Sequence, residues 1–247
     1  MPVNRNFALL WHGQLVSQLG NQAFLIATAF HLVEHTGSAM SVAAVMIGAT
    51  LPLVLLGPVG GAVADRHSRR SILIATDLLR AASIGGLAAV LLWQPVLTTP
   101  VLAIVVGVAA FNGVMLALFA PAYQALIPEL VAAEDLGAAN GLSQMSGQAA
   151  TLAGQAVGGV LYVWWGVVAL LAIDAFSFAY AALATWFIPP DQPAGQGLVG
   201  SEDPGGRAPF HRPADADDAG QEPARAGLGH QPARGEHETE LRALGRE

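Results

Sequence analysis

The 247-residue chain contains no cysteine and no lysine. Without cysteine it has no disulfide framework, no thiolate nucleophile and no thiolate metal site. The missing lysine makes every Lys/Arg-type charge an arginine and is consistent with a GC-rich coding bias. Charge of either sign is scarce at 12% of residues, against 53% hydrophobic and a mean hydropathy of +0.50. That balance is too apolar for an ordinary soluble domain of this length. Scarcer still, over the first 190 residues, are polar stripes at helical period. Segments apolar on all sides need lipid or a very large core, and 190 residues cannot build one that large. The net charge of −7 argues against nucleic acid as a partner. Nothing resembles a nucleotide-binding Walker motif, so direct ATP hydrolysis has no support, and an enzymatic role is not expected.

What is present is a succession of six apolar stretches, near 8–32, 40–63, 72–93, 99–120, 141–163 and 167–188. Each approaches the roughly 20 residues that span a hydrocarbon core about 30 Å thick. Short breaker-rich connections separate them: EHTGS at 34–38, QPVLTTP at 94–100 and WWG at 164–166. Five arginines fall in this region, at Arg5, Arg66, Arg69, Arg70 and Arg80. Three crowd the connection between the second and third stretches, while the connections 1–2, 3–4 and 5–6 have none. The positive-inside rule then places the N-terminus and the 2–3 connection in the cytoplasm, and six crossings return the chain there. The first stretch is too long and too interrupted by amides for a cleavable signal peptide, and would serve as its own insertion signal.

Character changes after residue 190. Residues 191–247 are rich in glycine and proline, carry six arginines and eleven acidic residues, and have one aromatic, Phe210. Such a segment cannot bury enough apolar surface to offset its ordering entropy. It is expected to be a disordered, low-complexity cytoplasmic tail, and a shifted reading frame of a GC-rich gene would yield a similar composition.

The connection GGAVADRHSRR at 60–70 carries a recognisable pattern. Gly61-x-x-x-Asp65-Arg66-x-x-Arg69-Arg70 resembles motif A of the major facilitator superfamily, with Ser68 where a second glycine is usual. NRNFALLWHGQLVSQLGNQ, LPLVLLGPVGGAVADR, DLLRA, APAYQALIPELVAAEDLGAANGL and LLAIDAFSFAYAALA resemble, in order, the N-terminal half of its efflux branch, which includes enterobactin exporters and macrolide-efflux proteins. The resemblance implies an all-α membrane protein: six transmembrane helices over residues 1–190 forming one half of a major facilitator fold. It also implies that Asp65 meets the positive end of a helix in the other half, latching the cytoplasmic side, with the arginines completing a charge relay. The alternative is that the arginines only fix topology, at about 1 kcal/mol each near an anionic surface. Gly57, Gly60 and Gly61 would let helices approach closely.

Polar groups inside the apolar stretches are the other candidates. Gln14, Ser17, Gln18, Asn21 and Gln22 fall mostly on one side of the first helix, facing either a substrate pathway or hydrogen-bonding neighbours. Relatives often have an acidic residue where Asn21 stands, and an asparagine cannot carry a proton. Asp77 and Arg80 are three residues apart and can pair on one helix face. Asp174 is the one carboxylate expected near mid-membrane, as a proton or substrate group or as a partner of a neighbouring helix. Gly141, Gly154, Gln155, Gly158 and Gly159 resemble the antiporter signature called motif C, with Gln155 in place of its proline and Ala150 in place of another glycine. This favours antiport modestly over plain packing. The fourth helix lacks the arginine of many drug antiporters. His12 and His31 are not read as metal ligands, and no metal site or cofactor is expected.

The resemblance implies proton-driven export of a small amphipathic compound, a drug or siderophore, across the inner membrane. Major facilitator transport uses two six-helix halves, so the missing C-terminal half or a second chain is an expected partner, beside the lipid bilayer and the substrate. A truncated product is one expectation. A half-transporter is a second. A membrane protein without transport of its own, acting as assembly or regulatory partner, is the alternative.

Overall fold

The computed structural model describes residues 4–189, so the assignment made for 191–247 lies outside the described residues. Those residues form five α-helices and a short 3-10 turn, with no strand among them. α1 spans Arg5–Thr36, α2 Ala39–Arg66, α3 Arg69–Trp93, α4 Thr99–Leu130 and α5 Leu136–Trp186, and the 3-10 turn Ala133–Asp135 precedes α5. α2, α3, α4 and the segment Ala133–Trp186 are each long and apolar enough to cross a membrane. The amides of α1 lower its hydropathy below theirs.

The helix boundaries follow local chemistry. Asn4 caps α1 by accepting from the Asn6 amide at 3.3 Å. Gly37, at φ 63°, closes the same helix with its amide on the Val33 carbonyl. That left-handed conformation is open to glycine at no steric cost. Ser38 then caps α2 through the Met40 amide at 3.2 Å. The fourth helix does not stop at 120 as expected. It runs through Pro121 and Pro128 to Leu130, because interior prolines are tolerated where neighbouring helices surround the freed carbonyls.

The fifth and sixth stretches also differ from expectation, being continuous as α5 with a break at Gly166, where φ is 73° and ψ 177°. Contacts with α1 show what the break does. Along 136–165, Gly154 lies against Leu19, Gly158 against Ala23, and Tyr162 donates to Glu34, so this limb runs parallel to α1. Along 167–186, Asp174 and Ser177 lie against Gly20, then Ala181 and Ala184 against Gly13, so the second limb runs back. Gly166 is therefore a reversal point. The exposed tryptophans Trp93, Trp164 and Trp165 gather at that end, as interfacial aromatics do.

α1 packs along both limbs of α5, α2 along α4, and α3 between α4 and the second limb. The α1–α3 trio and the trio of α4 with the two limbs have opposite directions, an inverted repeat of three. Two apolar clusters occupy opposite ends of the bundle. One contains Phe7, Leu10, Leu73, Ala122 and Leu126; the other contains Phe24, Ala27, Ile84, Leu87, Val105 and Leu171. Between these clusters lie the buried Gln14 and Ser17 of α1, the buried Thr76, Asp77 and Arg80 of α3 and the half-buried Asn112 of α4, with Asp174 and Ser177 of the second limb beside them, flanked by Leu171 and Phe178 of the second cluster.

Candidate functional site

That middle layer is built from one short run in each of four helical segments. Asp77 and Arg80 of α3 and Asp174 of the second limb are 0%, 6% and 0% exposed. Their positions are related by the repeat: the buried series Leu73, Asp77, Arg80, Ile84 in α3 matches Leu170, Asp174, Ser177, Ala181 in the second limb. Both series put an aspartate at the second place.

The expected ion pair between Asp77 and Arg80 is not the contact formed. Arg80 donates from Nε to Asn112 Oδ1 at 3.3 Å and from Nη2 to Asn21 Oδ1 at 3.4 Å. Its guanidinium carbon sits 3.9 Å from the centre of the Phe178 ring, a cation–π contact. The long arginine side chain reaches across to α1 and α4, whereas the short Asp77 stays near its own helix. Arg80 remains within electrostatic reach of both Asp77 and Asp174. Gln14 Nε2 approaches Asp77 Oδ2 at 3.5 Å. Ser177 Oγ lies 3.4 Å from Asp174 Oδ1 and donates to the Asp174 carbonyl at 2.8 Å. Asp77 Oδ1 and Asp174 Oδ2 are buried and accept no hydrogen bond among the described residues. Space for Asp174 comes from Gly20, where a methyl group would lie 2.9 Å from Asp174 Oδ1 and 2.5 Å from Ser177 Oγ.

The polar stripe of α1 therefore divides. Gln14 and Asn21 turn to α3, while Gln18 and Gln22 turn to α5. At 100° per residue the stripe spans an arc wider than one neighbouring helix. Gln22 accepts from Gln155 at 3.3 Å. Gln18 lines a separate cavity of about 650 Å3 with Tyr123, Gln124, Asn140, Gln144 and Gln148. Among the described residues this groove, between α1, the end of α4 and the start of α5, carries no Asp, Glu, Arg or His. The sequence reading missed its α5 wall, although Asn140, Gln144, Gly147, Gln148 and Thr151 recur at helical spacing. It also missed Asn112. That residue was legible as the one polar side chain between Pro100 and Ala122.

At the other candidate, α2 ends at Arg66 and α3 begins at Arg69, joined by two residues of negative φ. Ser68 stands in for the usual glycine as N-cap of α3, its Oγ 3.5 Å from the Ser71 amide. Two of the three motif arginines turn away from Asp65. Arg69 pairs with Glu129 at the end of α4. Arg70 donates to the carbonyls of Thr185 and Trp186 and lies over the Trp186 ring. Cations favour such helix C-termini. Asp65 is exposed and makes no ion pair among the described residues. Of the motif glycines, Gly60 is pressed against the Ala117 carbonyl, while Gly57 and Gly61 have open space. In the motif C-like run, Gly154 and Gly158 meet the α1 backbone, Gly159 makes an ordinary contact with Phe30, and Gly141 meets nothing.

His12 meets Tyr180, and His31 lies against His35 with ring centres 4.1 Å apart and planes tilted by 44°. Among the described residues no group of three His, Cys, Asp or Glu side chains could hold a metal ion.

Inverted three-helix repeats around a polar middle layer define a multi-pass helical membrane protein of the major facilitator class. The chain belongs to the transmembrane secretion effector family of that superfamily, whose family profile matches residues 2–198. It is 32% identical over 177 residues to macrolide efflux protein A of Streptococcus pyogenes, covering 72% of this chain and 43% of that protein. To the lysophospholipid transporter LplT of Serratia proteamaculans it is 29% identical, covering 76% and 44%. To the multidrug efflux pump Tap of Mycolicibacterium fortuitum it is 28% identical, covering 71% and 43%. The chain thus spans less than half the length of these relatives.

Proposed function

We propose that the chain forms the N-terminal, substrate-handling half of an exporter of small amphipathic compounds driven by the proton gradient. In this reading six helical segments cross the inner membrane, the two limbs of α5 counting separately. Residue 5 and residue 189 lie on the cytoplasmic side, with the arginines of the α2–α3 connection. Asp174 and its repeat counterpart Asp77 take up and release protons, and Arg80 compensates whichever carboxylate is charged. The uncharged groove at Gln18 is the substrate passage. A complementary six-helix half completes the transporter.

The observation that carries this reading is the pair of buried, unpartnered carboxylate oxygens beside one buried arginine. A charged side chain at mid-bilayer costs about 2.5–3.5 kcal/mol. Structural stability alone gives no reason to retain three ionisable groups there, whereas proton movement does. The relatives named for macrolide and multidrug efflux support a drug-like substrate.

The test is macrolide accumulation in an efflux-deficient bacterium expressing the chain, alone or with the C-terminal half of macrolide efflux protein A. Accumulation should fall several-fold in at least one arm, and a protonophore or Asp174→Asn should restore it. Unchanged accumulation in both arms refutes export. Export indifferent to the protonophore refutes proton coupling.

A further inference from the structure

The second cavity along α1 lies between α1, α2 and α4 and differs in kind from the Gln18 groove. It is a partly open cavity of about 150 Å3, and Phe24, Leu25, Val45, Met46 and Leu116 make its walls apolar. Its polar lining comprises Asn21, Thr28, Thr50, Arg80 and Asn112. Several hydrogen-bonding groups there are not in use. Thr28 is 6% exposed, and its buried Oγ1 has no partner among the described residues. Asn21 turns Oδ1 to the guanidinium, which can only donate, so its Nδ2 faces away and donates to nothing among the described residues. Arg80 bonds through Nε and Nη2, leaving Nη1 without an acceptor among the described residues. Asn112, by contrast, is occupied at both ends, with Oδ1 on Arg80 and Nδ2 on Ser83 and the Val108 carbonyl.

An amide NH2 and a guanidinium nitrogen are donors only, and a hydroxyl can donate. A molecule seated here must bring an acceptor. Charge narrows the choice further. Arg80 is already compensated by whichever of Asp77 and Asp174 is charged, so an anion finds no uncompensated charge there, and a cation would meet the guanidinium itself. A neutral acceptor remains. Size narrows it again, since an apolar cavity of about 150 Å3 accepts a single benzene ring.

We infer that this cavity binds an uncharged, ring-sized apolar group through a carbonyl oxygen, with Arg80, Asn21 and Thr28 as donors. The inference extends the export reading to the chemistry of the exported compound. It is read out by binding alone, so the two can fail separately.

The probe is 4-fluoroacetophenone, followed by fluorine NMR against the full chain in lipid nanodiscs, with empty nanodiscs as reference. 1-Ethyl-4-fluorobenzene has nearly the same shape and no acceptor. The ketone should show saturable line broadening that unlabelled acetophenone reverses, and the ethylarene should show only partitioning into lipid. Thr28→Val keeps the side-chain shape and removes the hydroxyl, and Asn21→Leu removes the amide. Each should weaken ketone binding up to about tenfold, the scale of one lost hydrogen bond. Ala29→Phe, which fills the cavity without touching its polar lining, should abolish it. Equal saturable binding of both probes, ketone binding unchanged in Thr28→Val and Asn21→Leu, or no saturable ketone binding overturns the inference. Ketone binding without macrolide export leaves this site standing and removes only the export reading.

Discussion

Gly158 and Gly159 are adjacent, and substituting each by alanine should give opposite results. A methyl group on Gly158 would lie 2.6 Å from Ala23 Cα and 2.9 Å from the Ala23 carbonyl oxygen. Carbon atoms pack best at about 3.5–4.0 Å, so α1 and the first limb of α5 would have to separate by about 1 Å. The obstacle is backbone, which cannot rotate away as a side chain can. Overpacking of this kind costs about 1–3 kcal/mol, and the alanine recovers about 1 kcal/mol of helix propensity. Gly158→Ala should therefore destabilise by up to about 2 kcal/mol. On Gly159 the nearest atom would be a Phe30 ring carbon at 3.5 Å, an ordinary contact on a movable side chain. Gly159→Ala should be neutral or stabilise by about 1 kcal/mol. Reversible unfolding in mixed micelles, titrated with a denaturing detergent and followed by tryptophan fluorescence, measures both. Equal stabilities for the two variants would refute the close approach of α1 and the first limb at Gly158.

Arg80→Leu leaves Asp77 and Asp174 without a compensating charge and should cost about 3–5 kcal/mol in the same titration; adding Asp77→Asn and Asp174→Asn should restore part of it, and no restoration would separate the arginine from the carboxylates. Arg69 and Glu129 are partly exposed, so a double-mutant cycle between them should return a coupling of only about 0.2–1 kcal/mol, reduced by salt. Ser68→Ala removes the α3 cap and should cost about 1 kcal/mol, whereas Ser68→Gly, which restores the residue usual in motif A, should cost a few tenths.

The amino-acid sequence by itself determined the solvent and the all-helical, multi-pass class. Hydropathy depends on local composition, and long runs without a polar stripe have no stable place except a bilayer. Gly166 acts through its own backbone, so its punctuation was readable, as was the family pattern around Asp65. The partners of Arg80 were not. A three-residue spacing pointed to Asp77, but the guanidinium reaches Asn21 and Asn112, brought beside it by packing from 59 and 32 residues away. The same holds for the glycines. Gly57, Gly60 and Gly61 read alike along the chain, yet only Gly60 presses on α4, because helix rotation and not residue type selects which face meets a neighbour. Long-range contacts decided the function-bearing geometry: two repeat-related aspartates with open oxygens, one arginine shared between two helices, and an apolar cavity with donors left over.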